Sequence, residues 1–435
     1  MRTLLTTLAA GLVAASSGAL AAEPDDAAIA ALVAKEMPGV IAWRRDFHQH
    51  PELSNREVRT AGIVAAHLRK LGLEVRTGVA KTGVVAVLEG ARAGPTIALR
   101  ADMDALPVVE QTDVPFRSTV TTMYRGEKVG VMHACGHDAH TAILMGVAQI
   151  LAGLRAELPG KVIFVFQPAE EGAPDGEEGG AALMLKEGVF AAGKPDAMFG
   201  LHVFSTLPAG VIGYRPGPFM AGSDGYRLLV TGRQSHGARP WQGIDPIVVS
   251  SQIVSALQTV VSRQIDLTQN PAIVTVGMIR GGVRGNIIPD SVEMQGTIRT
   301  YDPAQRTDIL ARVERTATHI AEASGATAKV EFSGHPNPVT RNDPALTKRA
   351  VPTLTRVAGA DRIREIGLQT PSEDFSFFAR EVPSLFFFVG VAKPGEPADK
   401  VADNHSPLFY IDESALPVGV RALTQLSVDY LTGRM

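Results

Sequence analysis

The chain has a single cysteine, Cys135, in 435 residues, so an intramolecular disulfide is impossible. It has no excess of either charge sign. Its 42 Lys and Arg face 45 Asp and Glu, for a net charge of −3, which gives no electrostatic reason to expect nucleic acid or a membrane surface as a partner. Beyond the first 22 residues no stretch approaches the ~18 uninterrupted apolar residues of a membrane-spanning helix. No Gly-x-Ser-x-Gly elbow and no P-loop signature occurs, which argues against serine-based hydrolysis and against nucleotide chemistry built on that loop. Internal repeats and low-complexity tracts are missing too. What is present is bulk: 435 residues at 45% hydrophobic content suit two domains with a sizeable buried core.

Residues 1–22 stand apart. Arg2 supplies a minimal positive start and residues 4–15 form an apolar run of signal-peptide length. Ala19-Leu20-Ala21 is an A-x-A cleavage site ahead of the acidic stretch Glu23-Pro24-Asp25-Asp26. That order predicts a secretory signal peptide over 1–21 and an exported chain, periplasmic or secreted. The segment is short for a membrane anchor and lacks a stop-transfer flank. Export sharpens the question of Cys135, because a lone thiol in an oxidising compartment is a liability unless something occupies it. A metal ion would do so.

Downstream, helical periodicity covers 25–48 and 56–71, and apolar strand patterns cover 82–90 and 95–108. Residues 109–136 read as a long loop, followed by a helix over 138–157. The run KVIFVFQPAEE (161–171) reads as an apolar strand ending in two carboxylates; a helix near 179–190 and a buried strand at 196–203 follow. Nearly all-apolar strands alternating with helices predict an α/β sheet covered on both faces. From 221 the pattern alternates polar and apolar. The order there is strand, helix (246–266), strand (272–280), strand (291–300), helix (303–325), strand (326–332), which is the split βαβ, ferredoxin-like arrangement. Helices near 343–358 and 414–432 then flank the apolar run 382–391. The expectation is a larger α/β catalytic domain of sheet and helices, residues 22–220 and 334–435, interrupted by a ferredoxin-like α+β domain over 221–333.

The densest chemistry lies in VMHACGHDAHT (131–141). Cys135 and His137 stand two apart around Gly136, where the long loop meets a helix N-terminus, and thiolate and imidazole are both good ligands for zinc-like ions. Asp138 is a candidate to orient a ligating imidazole, while His133 and His140 read as supporting or structural residues. Glu170 and Glu171 stand at the carboxyl end of an apolar strand, where open α/β sheets bind ligands. One carboxylate can then face a metal and the other substrate and water. His202 in GLH, His405 in DNHSP and the pair Asp102 and Asp104 in ADMD complete five such places. Each alone has an ordinary structural explanation; their convergence carries the argument.

The segments ALRADMDALP, HACGHDAHT, QPAEEG, GLH and NHSP, in that order, resemble the dimetal N-acyl amino acid amidohydrolases of the aminoacylase and carboxypeptidase superfamily of metallopeptidases. The branch most resembled is that of bacterial hippurate hydrolases and plant auxin-conjugate hydrolases. The resemblance spans nearly all the chain beyond residue 22. It implies two divalent ions per subunit, held by Cys135, His137, Glu171, His202 and His405, with Glu170 as general base. Zinc or manganese is the expected metal, and the mixed S/N/O set also admits cobalt or nickel. The implied substrate is a small N-acyl or N-aroyl amino acid, with an exopeptidase cleaving dipeptides or C-terminal residues as the alternative. Other branches carry His-x-Asp where Asp102-x-Asp104 stands and a carboxylate in place of Cys135, and the branch named shares these substitutions. Asp104 is assigned an orienting role; that of Asp102 stays open. Within the ferredoxin-like segment, GRQSHGARP (232–240) resembles a lid motif whose histidine, here His236, polarises the scissile carbonyl across a homodimer. GGVRGNIIPD (281–290) resembles its partner motif, with Asn286 assisting. Arg299 matches a position that binds the substrate carboxylate, which the guanidinium fork suits. The two open edges of a four-stranded sheet are the physical reason to expect pairing with a second copy.

Overall fold

The structure is a computed structural model that describes residues 24–333, 336–397 and 400–435; the expected signal peptide lies outside the described residues. Eight strands form the main sheet, in the order Glu74–Val79, Gly83–Glu89, Pro159–Gln167, Arg92–Asp102, Ala197–Pro208, Ser384–Ala392, Ile212–Tyr214 and Ile363–Glu365. The third to sixth of these run parallel to one another. Parallel strands need crossovers and are buried on both faces, and their side chains divide accordingly. Phe164, Phe166, Leu99, Phe199, Leu385 and Phe387 face the helices Asp26–Gln49, His137–Gly153 and Leu416–Leu431. Ile163, Val165, Ala98, Met198, Phe386 and Phe388 face Gly180–Lys186 and Phe375–Glu381. Burial of each large apolar side chain contributes roughly 1.5–3 kcal/mol, which pins strand order and register.

Residues 222–332 form a second, antiparallel sheet in the order Ile273–Gly281, Ser291–Thr300, Gly222–Thr231 and Thr327–Phe332. The helices Pro246–Gln264 and Pro303–Ala323 cover it around a core of Leu228, Val230, Ile253, Leu257, Met294 and Val313. The strand order is ferredoxin-like, as expected. Both helices begin alike, with an aspartate (Asp245, Asp302) capping backbone N–H groups and proline in the first turn, a combination that fixes a helix start locally. Among the described residues no helix is long and apolar enough to cross a membrane.

Three local expectations need correction. The segment read as a long loop contains a hairpin, Thr121–Tyr124 with Glu127–Gly130, turning through left-handed Arg125 and Gly126; strands of four residues with none of them buried have no apolar face to betray them. The strand expected to reach Glu171 ends at Gln167, because Pro168 cannot donate to a ladder. The strand of His202 does not end there but continues to Pro208. Its neighbour Ser384–Ala392 stays paired to Ala392, whereas Arg92–Asp102 pairs with it only as far as Arg100 with Gly200. His202 therefore lies where one side of the strand has lost its partner, and a crevice opens.

Candidate active site

The carboxyl ends of the parallel strands and the loops after them deliver the side chains. Gly136 precedes the helix that starts at His137 and has φ +98; a β-carbon there would lie 2.3 Å from Val203 Cγ2. A glycine is thus required for Cys135 and His137 to turn into the same space. Cys135 Sγ lies 3.3 Å from His202 Nε2 and 3.3 Å from His405 Nε2, and His405 Nε2 lies 3.2 Å from Glu171 Oε1. His137 Nε2 is 3.8 Å from Glu170 Oε2 and 4.0 Å from Glu171 Oε1. These atoms make three triads with ligand spacing: Cys135–His137–His202 and Cys135–Glu171–His405, which share Cys135, and His137–Glu170–Glu171.

The set fits a divalent cation. His137 Nε2 is buried with no hydrogen-bond partner, an unfavourable state unless something takes its lone pair. Burial, and then the carboxylates of Glu171, Glu170 and Asp102, hold the Cys135 thiol well above its ordinary pKa. Burial lowers the pKa of His137, but Asp102, Asp104 and Glu171 more than offset it, raising the group to about 10. Negative charge gathered this tightly attracts either protons or a metal, and a metal deprotonates the thiol it binds. One sulfur, three imidazoles and a carboxylate match zinc-like preferences.

Behind these residues lies a buried polar scaffold. The Asp104 carboxylate accepts from Ser54 Oγ (2.7 Å), Glu170 N (3.1 Å) and Glu171 N (3.0 Å), and lies 3.2 Å from His137 Nδ1. It orients the imidazole and fixes the two-glutamate turn together. Asp102, whose role the sequence left open, takes Arg100 Nη1 at 2.6 Å and His140 Nδ1 at 2.5 Å. His140 Nε2 in turn accepts from Val203 N at 2.8 Å, so both its nitrogens are engaged and it supports rather than ligates. His133 is buried, and burial lowers its pKa to about 4. Asp138 does not orient a ligating imidazole as expected. Successive helix residues diverge by about 100°, and Asp138 points away from His137 to Arg44 Nε and His48 Nδ1, each at 2.9 Å. Below Glu170 the wholly buried Arg100 reaches Glu373 Oε1 (2.7 Å) and Asp374 Oδ1 (3.2 Å). Burial, then Glu373, Glu171 and Asp374, hold the Glu170 carboxyl well above its usual range against the pull of Arg100.

Sequence reasoning missed Arg44, His48, Ser54, Glu57, Arg100, Glu373 and Asp374. Only Arg100 left a visible sign, a charge inside the apolar strand IALRAD. The residues expected to act from the smaller domain are elsewhere in this chain. His236 is exposed on a two-residue strand paired with Ile287–Ile288, and Gly237 N donates to Asn286 O at 2.8 Å, so those two motifs are neighbours. Arg299 is half-buried, its Nη1 has no partner, and burial lowers its pKa. None of the three lines the cleft of about 1200 Å³ beside Glu170 and Glu171, whose far wall includes Tyr301, Arg306 and Arg341.

Comparison with known proteins places this geometry. Residues 98–429 match Peptidase family M20/M25/M40. Thermostable carboxypeptidase 1 of Saccharolobus solfataricus is 40% identical over 392 residues, 90% of this chain and 95% of the relative. N-acetylcysteine deacetylase of Bacillus subtilis is 39% identical over 89% of this chain and 96% of its own. IAA-amino acid hydrolase ILR1-like 4 of Arabidopsis thaliana is 37% identical over 90% and 86%. Among solved structures, the Bacillus subtilis YXEP protein, described as a dinuclear metal binding peptidase from the M20 family, superposes with TM-score 0.75 at 34% identity, covering 92% of this chain and 99% of that one.

Proposed function

The chain belongs to peptidase family M20/M25/M40, a family of hydrolytic enzymes, and we propose that it cleaves the amide bond of N-acyl or N-aroyl amino acids at a two-metal site. One observation carries the reading: Cys135, His137, Glu171, His202 and His405 converge on one crevice, with Glu170 beside them. Cys135 is common to the triads Cys135–His137–His202 and Cys135–Glu171–His405 and joins those two halves of the site. Zinc or manganese suits this donor set. When bound, the ions supply Lewis acidity and lower the pKa of water from ~15.7 toward ~7.

The chain's own residues do the rest. Glu170 takes a proton from the attacking water and returns it to the leaving amine. Asp104 keeps the ring of His137 in place. Arg299, with Nη1 otherwise unpartnered, grips the free carboxylate of the substrate. His236, assisted by Asn286, donates to the carbonyl oxygen as it becomes an oxyanion. Because His236 stands apart from the centre in its own chain, a second copy supplies it. The homodimer forms through the smaller domain, whose edge strand exposes Ile273 and Ile279. The segment 1–21 directs the enzyme out of the cytoplasm. The N-terminus of recovered exported protein then begins at Ala22, and a start at Met1 overturns that assignment.

Similarity to a carboxypeptidase favours a second reading, exopeptidase action at the same site, decided by what the acyl side accepts. Metal-reconstituted enzyme assayed on N-benzoylglycine, N-acetyl amino acids and a dipeptide panel separates the two. Highest kcat/KM on N-acyl amino acids supports the proposal. A tenfold preference for dipeptides replaces it with the exopeptidase, and no turnover of either class by protein holding two ions refutes both.

A further inference from the structure

The turn that presents Glu170 and Glu171 is held from an unexpected direction. Ala169, a residue with a β-carbon, adopts φ +53, a left-handed conformation that L side chains rarely take. Three consecutive N–H groups of this turn each donate to a buried carboxylate. Ala169 N donates to Glu57 Oε1 at 2.9 Å, Glu170 N to Asp104 Oδ1 at 3.1 Å and Glu171 N to Asp104 Oδ2 at 3.0 Å. Asp104 has an evident reason to be there, since it also meets His137. Glu57 has none of that kind. It lies 112 positions before Ala169, at the start of the helix Val58–Lys70, and is wholly buried. Its other hydrogen bonds come from Asn55 N at 3.0 Å and Thr82 Oγ1 at 2.5 Å, neither a candidate ligand. Burial and the nearby Asp104 push its pKa up to about 7, so an ionised carboxylate at this place opposes folding near neutral pH rather than favouring it.

We propose that Glu57 is a positioning residue for the amide hydrolysis: by accepting from Ala169 N it holds the left-handed turn that sends the Glu171 side chain toward His405 and leaves Glu170 free to carry the proton. The inference rests on the reading of Glu170 as the base. Asp104 fixes the second and third N–H groups, and only Glu57 fixes the first. Without it Ala169 relaxes toward an ordinary conformation, the peptide between 169 and 170 rotates, and Glu170 swings off its line to the attacking water. A misplacement of about 1 Å is enough to cost on the order of 10²-fold in rate.

The test is a series of metal-reconstituted variants assayed on whichever substrate of the panel above the native enzyme turns over fastest, with metal content measured for each. Glu57→Ala is expected to bind two ions with near-native KM and to lose kcat tenfold or more. Glu57→Gln keeps an acceptor for Ala169 N and offers an amide to Thr82 Oγ1, so it stays within about threefold of native. Adding Ala169→Gly to Glu57→Ala removes the steric obstacle to the left-handed turn and recovers at least threefold in kcat. In a Glu170→Gln background, Glu57→Ala costs nothing further, because both act through one group. A residue that merely stabilised the fold would lower Tm without lowering kcat per metal-loaded enzyme, and a change at residue 169 would not rescue it. Should Glu57→Ala not fold, Glu57→Met fills the same volume without an acceptor and takes its place. The proposal is overturned by native kcat in the acceptor-less variant, by a loss confined to KM or metal content, or by no rescue from Ala169→Gly. If Glu170→Gln itself turns over at the native rate, the base assignment fails. If it is inactive while Glu57→Ala is not, only the role of Glu57 fails.

Discussion

Glu170 and Glu171 are adjacent in sequence and opposite in surroundings. Glu171 reaches His405, while Glu170 sits above Arg100, Glu373 and Asp374. Glu170→Gln is therefore expected to retain two ions while kcat falls by at least ~10². Metal analysis beside steady-state kinetics checks this, and loss of an ion would mean the two roles are exchanged. Cys135 gives a test that needs no substrate. A thiol-reactive probe, pulsed at a pH high enough to ionise the buried thiol, should label chelator-treated protein and spare the metal-loaded form; labelling of both forms to the same substantial extent strikes Cys135 from the ligands. Glu57 has a pH signature of its own. Its folded-state pKa of about 7 lies above the unfolded value of ~4.3. Its penalty is thus absent in acid, grows as pH rises from about 4.3 to 7, and is complete above that. Chelator-treated Glu57→Gln should consequently gain Tm over native at pH 8 and little at pH 5, and equal gains at both would contradict this. At this scale the candidate ligands were legible because Cys-x-His before a helix start, Glu-Glu after an apolar strand and the later histidines occur together in one order. Glu57 and Asp374 were not, since a carboxylate in a polar stretch looks the same whether buried or solvated.

Among the elements, boundaries written in local chemistry were readable: Asp245-Pro246, Asp302-Pro303 and Asp343-Pro344 each open a helix with a capping carboxylate and proline. Those depending on partners were not, such as the strand of His202, which continues only because Ser384–Ala392 continues beside it. The turn at Gly136 depends on both. Gly136→Ala would place a β-carbon 2.3 Å from Val203 Cγ2 at φ +98, next to His202. The variant is expected to lose roughly 1–3 kcal/mol of stability and to bind metal less completely. Thermal unfolding and metal analysis report both, and native values in each would show that the turn yields without disturbing Cys135 and His137.

For the whole molecule, the decisive question is whether one chain makes a complete site. Seven of the exposed large apolar side chains, Trp241, Ile247, Val248, Leu267, Ile273, Ile279 and Val283, belong to the smaller domain, which supports pairing there. Co-refolding His236→Ala with Glu170→Gln tests the shared site. Under the proposed pairing each variant alone is inactive, half the dimers are mixed, and each mixed dimer holds one intact pair, so up to about a quarter of native activity should return. No recovery despite demonstrated subunit exchange would place His236 outside the reaction or within its own chain's site.

By itself the sequence determined the periodicities, and through them the α/β sheet and the ferredoxin-like unit inserted in it, because period and cap act over a few residues. It also determined the ligand types, since metal affinity resides in the side-chain atoms themselves. The sequence marked Asp104 as an orienting carboxylate, but the tertiary structure alone decided what it and the other polar residues behind the candidate ligands touch. Asp104 serves His137 and the two-glutamate turn, Asp138 turns instead to Arg44 and His48, and Glu57 reaches Ala169 across 112 positions. Hydrogen-bond partners of a buried carboxylate are selected by distances of about 3 Å, and those distances exist only once strands far apart in the chain have been laid side by side.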